Sequence, residues 1–222
     1  EDITDVLKEV GISHDGVHWE LKDPSTLAVQ GVLSSFVAEK PEDYIIPAST
    51  THNQQIYRLA ILCQKAGLVP YIGKMERNDP MLAPLKPLTQ LNVKADPIQL
   101  KRIEQIDIIW ATADGTPVWA FEVEEHTSVL SALERFVSLL SVCPEMGKSR
   151  QLTIVAPKAR RRKIHQELTS SSYIGHPQYL ENKITYMFYD DLEAAFTRLS
   201  GQRNIHLEDL SHICQLPPSG ES

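Results

Sequence analysis

The chain has 222 residues, of which 42% are hydrophobic and 23% are charged, and its formal net charge is −7. Such a chain usually folds as one globular domain, in some cases with a small appendage, and it is not disordered throughout. No apolar run approaches the roughly 18 residues of a membrane span, the acidic start is unlike a signal peptide, and the negative charge disfavours a nonspecific coat on nucleic acid.

The cysteines and the first residue give two further expectations. Cys63, Cys143 and Cys214 are widely spaced, with no CxxC pair and no histidine partner at zinc-site spacing. A reducing, cytoplasmic setting is therefore expected. Because the first residue is Glu1 rather than methionine, we also expect a fragment, a processed product or a domain that accompanies further domains of a longer chain.

Residues 1–50 carry the weakest signals. Apolar residues at helical spacing predict helices over residues 3–10 and 26–38, with a short strand over residues 17–21 between them. We expect an N-terminal helical extension or small subdomain that packs against the main domain. The alternative is a subdomain that reads DNA or forms a dimer. The main domain is expected over residues 51–222.

The first elements of the main domain are a helix and a strand. Apolar residues repeat on one face of Thr51–Ala66, and Thr50 or Thr51 can cap this helix. A short strand over residues 68–72 follows. Residues 73–101 contain four prolines and little periodicity, so they are predicted to form a long surface loop.

Residues 103–125 are the most informative stretch. Asp114-Gly115 predicts a two-residue type I′ hairpin turn, and counting outward from it places Asp107 opposite Glu122. Glu124 lies on the same face because side chains alternate along a strand. Apposed acids repel, so a bound Mg²⁺ is one interpretation and acids exposed on an ordinary hairpin are the other. Spacing alone does not separate the two.

The remaining elements alternate between helix and strand. The helix after the hairpin begins beside Glu124, so its positive N-terminal end is a suitable place for a phosphate. The order of elements predicts an α/β fold with a mixed sheet, because hairpin strands are antiparallel and the later βαβ units are parallel. The predicted elements are a helix over 126–140, a strand over 151–156, a basic helix over 158–169, a strand over 183–189 and a helix over 190–199.

One dense basic cluster stands out in this acidic chain. It is a candidate contact for the DNA backbone, since lysine and arginine release counterions from phosphates, but a solvated helix face has the same pattern. Its members are Lys158, Arg160, Arg161, Arg162 and Lys163.

Two polar residues outside the hairpin also have a functional and a structural interpretation. His52, at the start of the first helix, either holds a water or a phosphate or lies there incidentally. Arg135, on the helix after the hairpin, either reaches the acidic cluster or pairs with its neighbours.

The order of elements over residues 51–199 resembles the PD-(D/E)XK superfamily of restriction-endonuclease-like nucleases. The motif residues are Asp107, then fourteen residues, then Glu122-Val123-Glu124, and the stretch FEVE-x-x-T-S at 121–128 is similar to uncharacterised bacterial members. The resemblance implies a restriction-endonuclease-like mixed β-sheet flanked by helices. It also implies Mg²⁺, with Mn²⁺ as a substitute, held by Asp107, Glu122 and the carbonyl of Val123.

The sequence departs from this family at two positions. Ile106 stands where the family has its proline, and Glu124 stands where it usually has a lysine. Some restriction enzymes resemble this Glu-x-Glu form and are active, with the second glutamate as a general base or as a ligand for a second metal. Lys74 or Lys101 is a candidate replacement for the lysine, and loss of the lysine also fits an inactive module.

The resemblance therefore implies a metal-dependent endodeoxyribonuclease that hydrolyses DNA phosphodiester bonds in restriction or phage defence. Cutting both strands requires two sites, so a homodimer is expected. The alternative is a catalytically inactive restriction-fold module that binds nucleic acid or a partner protein. A third possibility is a nuclease directed at RNA or at DNA repair.

Overall fold

The computed structural model describes residues 12–14, 19–21, 51–125, 129–168 and 183–216. The chain divides into two compact units, residues 1–45 and residues 46–222, and each is described by itself. In the first unit, strand β1 (Ile12–His14) pairs antiparallel with strand β2 (Trp19–Leu21). β2 lies within the predicted strand, whereas the helices predicted over residues 3–10 and 26–38 lie outside the described residues.

The second unit is built on a mixed five-stranded sheet. Its strands lie side by side in chain order, with the first three antiparallel and the last three parallel. This arrangement confirms the predicted α/β fold with a mixed sheet. The strands are β3 (Val69–Ile72), β4 (Ile108–Ala111), β5 (Pro117–Val123), β6 (Leu152–Ala156) and β7 (Ile184–Phe188).

Helices cover both faces of this sheet. The described helices are α1 (Thr51–Lys65), α2 (Pro97–Ile103), α3 (Leu130–Val142), α4 (Glu145–Lys148), α5 (Arg161–Leu168), α6 (Tyr189–Leu199) and α7 (Glu208–Ser211). Buried residues of α1 and α6 share a core with Trp110 and Phe121, and buried residues of α3 share a second core with Ala120 and Ile154. The sheet is therefore the middle of three layers.

Helix α1 confirms its predicted pattern. Ile56, Leu59, Ala60 and Cys63 are fully buried and recur at helical spacing on one face. Gly67 follows with a φ of 73°, a left-handed conformation that glycine adopts without strain. The helix therefore packs against the sheet with its apolar face and ends just before β3.

The turn between β4 and β5 differs from the predicted one. Gly115 has a φ of 86°, but Asp114 does not have a positive φ, so this is not a type I′ turn. The Gly115 amide donates to the Thr112 carbonyl at 2.9 Å, and Val118 is an extra residue in β5. Because this bulge cancels the shift of the turn, the predicted register is retained at three pairs. They are Ile108 with Phe121, Ile109 with Ala120, and Trp110 with Trp119.

The prediction of one long surface loop over residues 73–101 is wrong. The segment contains a short 3₁₀ helix at Ala83–Leu85 as well as α2, and Leu82 is fully buried. The Asp96 side chain accepts hydrogen bonds from two α2 amides, and the Gln99 side chain accepts one from the Asp96 amide. Asp-Pro-x-Gln is therefore a helix start that the sequence analysis missed.

Two other helices differ from their predicted bounds. α3 begins at Leu130, and residues 126–128 of the predicted helix lie outside the part of the chain that the structure describes. The basic helix begins with a 3₁₀ turn, Lys158–Arg160, and continues as α5. No helix among the described ranges has the length and apolar character to cross a membrane.

Candidate functional site

Three buried carboxylates lie at one end of the sheet. Asp107 directly precedes β4, Glu122 lies near the end of β5, and Glu124 directly follows β5, whose end is beside the start of the antiparallel neighbour β4. Their exposed fractions are 6%, 0% and 3%. Buried carboxylates are rare unless they are paired with cations or accept hydrogen bonds, so this end of the sheet requires compensation of negative charge.

Asp107 is hydrogen-bonded to the segment that carries the other two acids. Its Oδ2 accepts a hydrogen bond from the Val123 amide at 2.7 Å. Its carboxyl group is also within hydrogen-bonding reach of the Glu122 carboxyl, provided that one of them is protonated. Asp107 and Glu122 thus lie close together, as predicted, although Asp107 itself lies just before β4.

Arg135 compensates part of this charge. From α3 its Nε and Nη2 donate to the two carboxylate oxygens of Glu122 at 2.7 and 2.6 Å. Its Nη2 also lies 3.8 Å from Oε1 of Glu124. A bidentate pair of this kind is a strong, planar contact. Of its two interpretations, the one in which Arg135 reaches the acidic cluster is correct.

When they are all ionised, the three acids carry more negative charge than Arg135 balances. Burial raises the pKa of Asp107 to about 7, against the opposing effects of the Val123 amide and Arg135. Burial and the charge of Asp107 raise the pKa of Glu122 well above its ordinary value. These shifts show that the ionised acids are under-compensated. Their excess of carboxylate oxygens fits a hard divalent cation such as Mg²⁺.

This excess charge predicts how stability changes with pH in protein stripped of metal by a chelator. Between the ordinary aspartate pKa of 3.8 and about 7, folded Asp107 keeps a proton that the unfolded chain releases. The free energy of unfolding therefore decreases as the pH rises through this range. Asp107→Asn is expected to reduce that slope in urea unfolding experiments at several pH values.

Asp114→Asn is the matched control for this experiment. Asp114 lies exposed in the turn of the same hairpin, and its pKa is lowered by the Thr112 hydroxyl, so it stays ionised throughout the range tested. Its substitution should leave the slope unchanged. An unchanged slope for Asp107→Asn as well would show that Asp107 is not the group responsible.

Two residues outside the predicted set of metal ligands, His52 and Glu76, also face Asp107. Nε2 of His52, at the start of α1, lies 3.8 Å from Oδ1 of Asp107. Glu76 lies in the segment after β3, and burial followed by the charge of Asp107 raises its pKa. Potential ligand atoms of His52, Glu76 and Asp107 all lie within 4.8 Å of one another. Glu76 was missed because the irregular segment that holds it has no periodicity to place its side chains.

The candidate replacements for the family lysine are placed elsewhere. Nζ of Lys74 lies 2.5 Å from Oε2 of Glu104, which forms an ion pair outside the acidic cluster. Lys101 is exposed on α2. Among the described residues, Arg135 is therefore the cation that pairs with both Glu122 and Glu124.

Two side chains of the predicted DNA-binding run make contacts within the fold. Nη1 of Arg160 donates to the carbonyl of Glu124 at 2.9 Å, so this side chain holds the end of the acidic segment. The guanidinium of Arg161 lies over the ring of Phe188 at 4.9 Å. Four of the five side chains of the run are exposed: Lys158, Arg161, Arg162 and Lys163.

Comparison with known proteins gives one family. The model of the type II restriction enzyme NmeDI C-terminal domain matches residues 39–211. The matched range includes all three buried carboxylates, Arg135 and the basic run. Comparisons with curated proteins and with solved structures give no match.

Proposed function

Because the chain belongs to the family of the type II restriction enzyme NmeDI C-terminal domain, we propose that it is a metal-dependent endodeoxyribonuclease of restriction or phage defence. Membership of this family points to a nuclease or restriction-related role and to interaction with DNA. The observation that carries the finer proposal is the convergence of Asp107, Glu122 and Glu124, all buried, at one end of the hairpin.

Asp107, Glu122 and the carbonyl of Val123 would hold a Mg²⁺ ion, with Mn²⁺ as a substitute. Such an ion polarises a phosphate oxygen and makes a bound water more acidic. Both oxygens of Glu122 accept hydrogen bonds from Arg135, but a carboxylate has about four lone-pair sites, so it can bind a cation as well. Arg135 then fixes the orientation of a metal ligand.

Glu124 would accept a proton from the attacking water. Its backbone is fixed on both sides, because its amide donates to the Val155 carbonyl and its carbonyl accepts from Arg160. A residue whose backbone is held in this way is suited to a general base, which must lie within hydrogen-bonding reach of the proton it removes. The water would displace the O3′ leaving group at phosphorus.

A second candidate function is a catalytically inactive module that binds DNA or a partner protein. The observation that favours it is the pairing of Arg135 with Glu122 and Glu124, which neutralises part of the site without a metal. The absence of the family lysine at Glu124 points the same way. Such a module would retain DNA binding without hydrolysis.

Incubation of the protein with supercoiled plasmid separates the two candidates. We expect nicked or linear DNA with Mg²⁺ or Mn²⁺, and intact DNA with a chelator. Cleavage of both strands requires two sites, so we propose that a homodimer acts on duplex DNA. Intact plasmid with both metals, together with retained DNA binding, would support the inactive module, and competition with RNA tests the nucleic-acid preference.

Three of the four exposed cations of the basic run, those outside the contact of Arg161 with Phe188, are proposed to contact DNA phosphates. Simultaneous replacement of Lys158, Arg162 and Lys163 with alanine should weaken DNA binding at least about tenfold at moderate salt. The slope of log affinity against log salt should decrease by roughly 2 to 3, since each lost phosphate contact removes about 0.9. Fluorescence anisotropy with a labelled duplex measures both quantities.

A control variant removes the same charge from another part of the surface. Lys94, Lys101 and Arg102 are exposed on and before α2, and their replacement with alanine changes the net charge by the same amount. This variant should keep the salt slope of the original protein. Equal losses of affinity in the two variants would indicate a general charge effect and contradict a contact through the basic run.

A further inference from the structure

A second group of potential metal ligands includes Asp107 of the acidic cluster. It consists of His52 at the start of α1, Glu76 after β3, and Asp107 before β4. One ligand atom from each lies within 4.8 Å of the others. Three separate segments of the chain therefore bring an imidazole nitrogen and two carboxylate groups to one place.

The distances fit metal ligands better than a direct hydrogen bond. The separation of 3.8 Å between Nε2 of His52 and Oδ1 of Asp107 is too long for a hydrogen bond. Ligands held at about 2.1 Å from a tetrahedral ion are themselves roughly 3.4 Å apart. A cation between the two side chains would therefore require only a small approach of the ligands.

Glu76 provides an independent observation. Its Oε2 is buried and has no hydrogen-bond partner among the described residues. A buried carboxylate oxygen without a partner has a large desolvation cost, which a bound cation removes. Asp107, which this group shares, is itself more than nine-tenths buried.

The two oxygens of Asp107 have different partners. Oδ2 accepts a hydrogen bond from the Val123 amide, whereas Oδ1 faces His52. Glu122 is already paired with Arg135 through both of its oxygens. The Asp107 oxygen that faces His52, Oδ1, is therefore the candidate ligand that Asp107 contributes to this group.

We propose that His52, Glu76 and Asp107 form a cation site of their own, separate from the position between Asp107 and Glu122. One nitrogen and two carboxylate ligands suit Mn²⁺ or Zn²⁺ better than Mg²⁺, which prefers oxygen ligands and retained water. Ion binding here does not require nuclease activity. Only a role of this ion in cleavage rests on the proposed function.

Calorimetric titration of the chelator-treated, full-length chain with ZnCl₂ and with MgCl₂ tests this site. We expect tighter binding of Zn²⁺ than of Mg²⁺. His52→Ala and Glu76→Gln should each weaken Zn²⁺ binding at least tenfold. The matched controls are His206→Ala and Glu134→Gln, which change an exposed histidine and an exposed glutamate and should leave Zn²⁺ binding unchanged.

Nuclear magnetic resonance of the unsubstituted protein gives a second measurement that does not depend on the folding of a variant. Zn²⁺ should shift the imidazole nitrogen resonances of His52 and leave those of His206 in place. Unchanged His52 resonances at saturating Zn²⁺, or equal Zn²⁺ affinity in the two site variants and their controls, would overturn the proposed site.

The plasmid assay keeps this result apart from the nuclease proposal. Zn²⁺ binding that depends on His52 and Glu76, in a protein that does not cut DNA, would support the site and contradict the nuclease. Metal-dependent cleavage, together with a Zn²⁺ affinity that the substitutions of His52 and Glu76 leave unchanged, would support the nuclease and contradict the site.

Discussion

Asp107→Asn is expected to reduce metal-dependent cleavage of plasmid DNA by at least about 100-fold, since a catalytic metal supplies several kcal/mol and each 1.36 kcal/mol is a factor of ten. Asparagine keeps the size of the side chain and can still accept the hydrogen bond from the Val123 amide. It removes one buried charge from the cluster. The variant should therefore lose cleavage activity while it remains folded.

Initial rates of nicking at several Mn²⁺ concentrations measure this effect. If the substitution only weakens ion binding, the nicking rate should recover at high Mn²⁺. If it removes a ligand that also orients the ion, the rate should not recover fully. Asp114→Asn, at the exposed turn of the same hairpin, should cleave at the original rate. Equal activity of Asp107→Asn and the original protein would contradict the assignment of Asp107 to the reaction.

Arg135→Met is expected to destabilise the protein by about 3 to 5 kcal/mol, because it removes one partner of a buried ion pair. Glu122 has no exposed surface, and both of its oxygens accept hydrogen bonds from Arg135. Methionine fills much of the space of the arginine stem but leaves this carboxylate buried without its partner. Arg135→Lys should restore only part of the lost stability, since a single ammonium group cannot form the bidentate contact.

Urea unfolding at neutral pH with a chelator measures this loss. Arg162→Met, an exposed position in the basic run, is the control and should change the free energy of unfolding by less than about 0.5 kcal/mol. The difference in free energy of unfolding between Arg135→Met and the original protein should become smaller at lower pH, because a protonated Glu122 no longer carries an unpaired charge. A loss below about 1 kcal/mol at neutral pH would show that the ion pair is not a structural requirement.

The sheet and its hairpin could be predicted because local patterns determine them. Alternation along residues 117–123 indicated which side chains share a face, and β-strand pairing kept Ile108 opposite Phe121 even though the turn was assigned incorrectly. A turn error of one residue normally reverses the faces of a strand. Here the extra residue Val118 restores the register. No local pattern in the sequence predicted this bulge.

The composition of the site was harder to predict because it depends on contacts between distant segments. Arg135 lies thirteen residues after Glu122, on a different element, and the angle at which α3 packs against the sheet determines whether the two meet. His52 lies at the start of the predicted helix α1, but helical periodicity does not show which loop its first turn faces, and Glu76 lies in an irregular segment without periodicity. The contacts of Arg160 with Glu124 and of Arg161 with Phe188 likewise join segments that are distant in the sequence.

The most direct test of the metal-dependent site is a crystal structure of the protein grown with Mn²⁺ and measured at the manganese absorption edge. We predict an anomalous peak at about 2.1 to 2.2 Å from a carboxylate oxygen of Asp107, within the range for oxygen ligands of divalent ions of this class. An Asp107 carboxylate without any peak at saturating Mn²⁺, with Arg135 still paired to Glu122, would contradict a metal centre at this end of the sheet.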